Sequence, residues 1–203
     1  MEALVRRIAD EGTVTADGLL RVDGFVNHRL DPAFVLEAGS TLSARLEAAG
    51  AAPPDLILTA EASGVAPAFG VAAARDVPLL VARKRIPGTW TPPILRRDVA
   101  SRTHGGVATL ALRAEHLPAG ARVWLIDDVL ARGATPAGLA QLAADAGAHV
   151  GGVGVWIEKA AEGGRAALAD VGAPVAALAV VEALHRPGTP EGGPAGRAVV
   201  RGG

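Results

Sequence analysis

Short apolar runs of strand length alternate along the chain with Ala- and Leu-rich stretches at helical spacing. This is the pattern of a mostly parallel sheet flanked by helices, the α/β class. Asp31-Pro32 predicts a helix start, and the segment to Ala49 brings Val35, Leu42 and Leu46 towards one face before Gly50 and Pro53-Pro54 stop it. A buried strand is expected over 55–60. The turn Glu61-Ala-Ser-Gly64 then leads into a helix over 65–75, with Pro67 in its first turn. Further strands are predicted over 78–83, 107–112, 122–126, 150–157 and 175–181, and further helices over 134–146 and 162–171. Two segments fit no regular element. Residues 85–106 carry Pro87, Gly88, Pro92, Pro93, Gly105 and Gly106 and read as a long loop. Loops of about 20 residues inside a domain are usually functional. The Gly- and Pro-rich stretch 186–203 reads as a flexible tail, which leaves 1–185 as one domain.

Composition narrows the class. A chain of 203 residues, half of them hydrophobic and a fifth charged, is one ordinary domain with a real core and excludes general disorder. Twenty basic against twenty-one acidic residues give a net charge of −1, without the cationic surplus that nucleic-acid or membrane-surface binding needs. The absence of cysteine excludes disulfides, thiolate metal sites and a cysteine nucleophile. His28, His104, His116, His149 and His185 lack the spacing of a zinc site. No apolar run reaches the length of a membrane span, and Arg6, Arg7, Asp10 and Glu11 interrupt any signal-peptide core. A cytoplasmic protein is expected.

The chemistry concentrates between Arg122 and Pro136. Val-Trp-Leu-Ile delivers Asp127 and Asp128 to the carboxyl end of a strand, where open α/β sheets bind ligands. A short loop, 129–135, then enters a helix, and backbone N–H groups at such a turn bind phosphate. Gly133 permits close approach and the Thr135 hydroxyl adds a donor. Carboxylates beside a phosphate site suit hydroxyl groups, as on a ribose. Together the features suit a ribose carrying a 5-phosphate.

This stretch resembles the 5-phosphoribosyl diphosphate (PRPP) motif of the purine type I phosphoribosyltransferases, and with its flanks it is most similar to the bacterial xanthine enzymes. The resemblance implies the type I phosphoribosyltransferase fold with a small hood built mainly from 1–32. It also implies that Asp127 and Asp128 meet the ribose 2- and 3-hydroxyls, and that Ala131, Arg132, Gly133, Ala134 and Thr135 cradle the 5-phosphate. Glu61-Ala-Ser-Gly-Val-Ala-Pro67 resembles the family's pyrophosphate loop, with the amides of Ala62, Ser63 and Gly64 facing the diphosphate. Arg83 and Lys84, after the next strand, supply charge to neutralise it. In the segment Leu20 to Pro32, Leu20 and Asn27 are the implied base contacts, and Lys159 of Ile157-Glu-Lys159 is implied to bond a purine oxo group. Ala160 and Ala161 depart from the family's pattern, in which an aromatic residue follows the lysine, so that either the base lacks a stacking surface or Trp156 or another ring substitutes.

The expected activity is transfer of the 5-phosphoribosyl group from PRPP to xanthine, giving xanthosine 5-monophosphate (XMP) and pyrophosphate, a salvage reaction. Guanine, hypoxanthine or adenine is the alternative acceptor. A non-catalytic PRPP-sensing regulator is the alternative of another class, although such regulators usually carry a nucleic-acid-binding domain as well. The expected cofactor is Mg²⁺, held by substrate oxygens and water with no direct protein ligand. The loop 86–106 is expected to close over the site. The expected partners are the purine base, PRPP and a second copy in a homodimer, with neither nucleic acid nor membrane.

Overall fold

The computed structural model describes residues 1–101 and 106–203. The chain opens with α1 (Glu2–Glu11), the antiparallel pair β1 (Thr13–Val14) and β2 (Leu20–Arg21), and the single turn α2 (Asp23–Val26). Then come α3 (Pro32–Ala48), β3 (Leu56–Ala60), α4 (Val65–Arg75) and β4 (Leu79–Ala82). An antiparallel ribbon of β5 (Ile94–Ser101) and β6 (Gly106–Arg113) follows. After it lie β7 (Arg122–Leu130), α5 (Ala134–Asp145), β8 (His149–Lys159), α6 (Gly164–Ala167), β9 (Val175–His185) and β10 (Arg197–Gly202).

Six strands make the central sheet in the order β10-β9-β8-β7-β3-β4, all parallel except β10 at one edge. Two cores cover its faces. On one side Leu42 and Leu46 of α3 and Ala68 and Val71 of α4 pack with Trp124, Ile126 and Trp156 of the sheet. On the other, Leu139 and Leu142 of α5 and Leu110 and Leu112 of the ribbon pack with Leu58, Leu125 and Val155. Each fully buried leucine contributes about 2 kcal/mol of transfer free energy. Asp31 starts α3 as expected, its Oδ1 accepting the amides of Ala33 and Phe34 at 3.0 and 3.4 Å.

Four segments differ from the sequence reading. Residues 94–101 form β5 where a loop was expected. Leu95, Arg97 and Val99 turn inward while Arg96, Asp98 and Ala100 stay exposed. This period-2 pattern carries arginine on its inner face and was masked by the preceding prolines. An ion pair of Arg97 with Asp145 and contact of Val99 with Gly138 lay the ribbon on α5. Residues 102–105 of the expected closing loop, with His104 and Gly105, lie outside the described residues.

The helix expected over 162–171 is replaced by two 3-10 turns around the four-residue α6, because Gly163 and Gly172 take positive φ (75° and 67°). The stretch 186–203 is not simply a loose tail. Arg197–Gly202 pairs antiparallel with β9, its alternating side chains bringing Ala198 into the core. Finally, α1 went unread although Leu4 and Ile8, one helical turn apart, are fully buried. The segment 1–32 meets the C-terminal residues here, for the Val14 amide donates to the Ala195 carbonyl at 3.4 Å.

Candidate active site

The site gathers at the carboxyl edge of the parallel strands. Strand β7 runs beyond the expected 122–126, so that Asp127 and Asp128 lie within it and the following turn shrinks to Ala131–Gly133. Ala134 and Thr135 form the first turn of α5, whose leading amides have no partner within the helix and no side-chain cap. Gly133 occupies the N-cap position at φ 81°, in the left-handed region, and a Cβ there would lie 3.0 Å from the Gly164 carbonyl oxygen. Arg132 is exposed at the tip. Residues 131–135 thus offer successive N–H groups at a helix start, an arrangement suited to a phosphate.

Asp128 is the meeting point. Its Oδ1 accepts from the Val129 amide at 2.9 Å and from the Ser63 hydroxyl at 3.1 Å. Its Oδ2 accepts from Asn27 Nδ2 at 3.1 Å. One carboxylate therefore joins β7, the 61–64 turn and the N-terminal segment, elements up to 101 residues apart in sequence. Donors on both oxygens fix the orientation of this carboxylate.

Asp127 sits deeper. Its Oδ1 accepts the Asp128 amide at 2.9 Å. Burial raises its carboxyl well above the usual carboxylate range, and the neighbouring Asp128 charge pushes the same way, against the pull of Lys84. An acid whose native pKa is raised binds its proton more tightly in the folded state. The contribution of Asp127 to the stability of the unliganded protein is therefore lost as pH rises from about 4, the unfolded carboxyl value, through the raised native one. Asp127→Asn is expected to flatten that slope in thermal melts across pH and to raise Tm at neutral pH. A Tm difference between wild type and Asp127→Asn that does not change over this range contradicts the assignment.

Gly64 begins α4 directly above these groups. A Cβ built on it would lie 2.3 Å from Thr59 Oγ1 and 2.7 Å from Asp127 Oδ1. Thr59 is fully buried and its hydroxyl has no hydrogen-bond partner among the described residues. The 61–64 turn thus rests on the acid pair with no space for a side chain at Gly64, which keeps the Ala62, Ser63 and Gly64 backbone beside Asp127 and Asp128. The Glu61–Ala62 peptide is cis.

Arg83 and Lys84 follow β4 and join the same edge through Glu61, whose Oε1 accepts the Lys84 amide at 2.7 Å and whose Oε2 lies 2.9 Å from Arg83 Nε. Sequence reasoning passed over this carboxylate. Its signal was an acid at the strand end, facing the Arg-Lys pair at the end of the adjacent parallel strand. The Ser63 hydroxyl was also missed, since only its amide was expected to act.

Lys159 ends β8, two residues past Ile157, which pairs with Val129. It is buried at the same carboxyl edge, with Nζ 3.5 Å from Glu162 Oε1. The turn that follows is anchored by Arg165, which grips buried Glu158 through two bonds (3.0 and 2.5 Å) and donates to the Val175 carbonyl at 2.7 Å. Leu20 is half-buried in β2 and packs on the first core. The bond to the acids comes from Asn27. Trp156 cannot serve as a stacking ring. It is fully buried and meets Phe34 edge-on at 5.5 Å.

Among the described residues no three His, Asp or Glu side chains converge as a metal cage, and no helix is long and apolar enough to cross a membrane. The donor chemistry fits Mg²⁺ carried on diphosphate oxygens and water, because the Asp128 oxygens already accept from protein donors and Asp127 is buried.

Comparison with known proteins places this geometry. No protein-family model matches the chain. A xanthine phosphoribosyltransferase of Deinococcus deserti is 41% identical over 189 residues, covering 93% of this chain and 96% of the relative. Those of Bacillus licheniformis and Pseudomonas syringae pv. syringae are 39% and 41% identical over 184 residues, 91% of this chain and 93% and 96% of theirs. Among solved structures, adenine phosphoribosyltransferase from Thermoanaerobacter pseudethanolicus superposes with a TM-score of 0.69 over 89% of this chain and 99% of its own, at 21% identity. The Trypanosoma brucei adenine enzyme gives 0.70 over 87% and 78%, at 18% identity. At such identities the superposition speaks for the type I phosphoribosyltransferase fold, while the sequence relatives speak for the branch. With 41% identity sustained over 93% of its length, the chain belongs to the xanthine phosphoribosyltransferase family.

Proposed function

We propose that the protein transfers the 5-phosphoribosyl group of PRPP to xanthine, releasing pyrophosphate and XMP. The observation that carries this reading is the seating of the 61–64 turn on the Asp127–Asp128 pair, from which the same strand runs on into a second amide-rich turn, 131–133, at the start of α5. In this reading the two turns take the phosphates and the acids take the ribose hydroxyls, which is the order of groups along PRPP.

In this reading Ala131, Arg132, Gly133, Ala134 and Thr135 hold the 5-phosphate, and Asp127 and Asp128 accept hydrogen bonds from the ribose 2- and 3-hydroxyls. The amides of Ala62, Ser63 and Gly64, with Arg83 and Lys84, hold the diphosphate. A purine nitrogen attacks C1, and the electron pair of the C1–oxygen bond leaves with pyrophosphate. No covalent enzyme intermediate is needed. The side chains orient the two reactants and place negative charge beside a ribose that turns cationic in the transition state. Mg²⁺, bound through the diphosphate, supplies neutralisation of the leaving group.

Lys159, Asn27 and Leu20 receive the base. An ammonium group favours the oxo groups of xanthine over the 6-amino group of adenine, which cannot accept its hydrogen bond. The superposed adenine enzymes share the fold at about a fifth identity and do not argue for adenine here. The reading includes a cytoplasmic homodimer.

One assay tests the reading: the purified protein with PRPP, Mg²⁺ and, separately, xanthine, guanine, hypoxanthine and adenine, with nucleotide quantified by chromatography. XMP is expected to form fastest. Binding of PRPP without any nucleotide formed would establish the regulator instead. Lys159→Ala, in the same assay, is expected to cut kcat/KM for xanthine by about tenfold or more and adenine's far less, since a charge-assisted hydrogen bond is lost. Unchanged relative rates would remove Lys159 from base recognition.

A further inference from the structure

Glu61 places a negative charge at the rim of a turn that otherwise offers N–H groups and cations to an anion. Its surroundings explain why it is there. The Glu61 amide donates to the Ala82 carbonyl at 3.0 Å, which fixes the residue against the end of β4. Its Oε1 accepts the Lys84 amide at 2.7 Å, and its Oε2 meets Arg83 Nε at 2.9 Å. The Arg83 backbone is held as well, exchanging amide and carbonyl bonds of 2.9 Å with Ala111 of the ribbon. What remains adjustable is the Arg83 guanidinium, on a side chain 47% exposed against 22% for Glu61. Main chain and cation are thus tied to one carboxylate in different ways, the first by a hydrogen bond and the second by an exchangeable ion pair.

We propose that Glu61 is a positioning residue for the leaving diphosphate: its Oε1 fixes the Arg83–Lys84 segment beside the 61–64 turn, and its charge competes with the diphosphate for Arg83. The inference rests on the PRPP reading of the site. The hydrogen bond assembles the anion site before the ligand arrives, which lowers the cost of ordering it on binding. The carboxylate works in the other direction. A diphosphate must draw Arg83 away from Glu61 and bear its repulsion, so the product is held less tightly than the amides and cations alone would hold it, and Arg83 has a counterion to return to on release.

The two roles separate by substitution. In Glu61→Gln a side-chain oxygen still accepts the Lys84 amide while the charge is gone, so diphosphate binding is expected to tighten about fivefold, as for removal of a like charge near a protein surface. In Glu61→Ala the tether is lost too, and binding is expected to weaken below that of Glu61→Gln by about tenfold. XMP serves as the internal control, because it occupies the acid pair and the 5-phosphate turn without a diphosphate, and its dissociation constant is expected to stay within twofold of wild type in both variants.

The experiment is calorimetric titration of inorganic pyrophosphate with Mg²⁺, and of XMP, into the full-length wild type and each variant. Tightening in Glu61→Gln, loss in Glu61→Ala and constant XMP binding support the inference. Equal or weaker pyrophosphate binding by Glu61→Gln overturns the competition, and parallel loss of XMP binding reduces Glu61 to a general structural role. Wild type that binds XMP but not pyrophosphate overturns this inference alone, whereas wild type that binds neither overturns the PRPP reading beneath it.

Discussion

Asp128→Asn is expected to lower kcat/KM for XMP formation by about two to three orders of magnitude with little change in Tm, the scale seen when a preorganised electrostatic contact to a transition state is removed. The reasoning starts from the donors that already surround the carboxylate. Oδ1 takes the Ser63 hydroxyl and the Val129 amide, and Oδ2 takes the Asn27 amide. Asparagine keeps one acceptor and replaces the other with an NH₂ donor, which then faces a donor in the protein or in the ribose. It also removes the negative charge that favours a cationic ribose. The cost falls on the reacting state, because the backbone bonds that hold β7 in the sheet are untouched. Steady-state rates with xanthine and PRPP beside a melting curve check this. A rate within about threefold of wild type would show that Asp128 does not hold the reacting sugar.

Gly64→Ala is the second large effect. The new methyl carbon would have to sit 2.3 Å from Thr59 Oγ1 and 2.7 Å from Asp127 Oδ1, and both side chains are buried. Neither neighbour has an easy retreat: Thr59 is branched at Cβ and points from a fully buried strand, and Asp127 is held by the Asp128 amide. The turn must therefore lift away from the acids. Overpacking of this kind costs about 1–3 kcal/mol, which for a chain of this length lowers Tm by about 3–10 °C. The displaced amides of 62–64 are expected to raise the KM for PRPP at least about tenfold, since a misplacement of an ångström is costly in a preorganised site. Melting curves and PRPP saturation kinetics measure both. Normal PRPP kinetics in this variant would mean that the 61–64 turn does not bear on the substrate.

Much of this architecture was legible in the residues because several local signals agreed. The apolar run that ends in Asp127-Asp128, the Gly133 turn and the helix after it were each readable, and the structure joins them at the carboxyl edge of the sheet. Strand ends were read short where polar residues continue the pairing. Asp127, Glu158 and Lys159 lie inside strands because neighbouring strands pair with them, which hydrophobicity does not report. The ribbon strand Ile94–Ser101 was lost for a related reason, as its inward positions include Arg97, paired with Asp145 of a distant helix. Contacts between remote segments were the least visible. Nothing local in Asn27 or Ser63 says that both converge on Asp128, and nothing local in Glu61 says that its carboxylate bridges two residues of the next strand's end. The C-terminal strand was hidden in a Gly- and Pro-rich composition, and only its alternating Arg-Ala-Val-Val-Arg core hinted at pairing.

The central claim is that the backbone of 131–135 grips a terminal phosphoryl group while the two acids hold its sugar. The most direct measurement is the amide ¹H–¹⁵N spectrum of the protein titrated with ribose 5-phosphate, a ligand that carries this phosphate and sugar and lacks both diphosphate and base. Saturable downfield shifts of the Arg132, Gly133, Ala134 and Thr135 amides are expected, with smaller changes at Asp128 and Val129 and none at Lys84. Saturation that leaves 131–135 unmoved while another segment shifts would contradict the account.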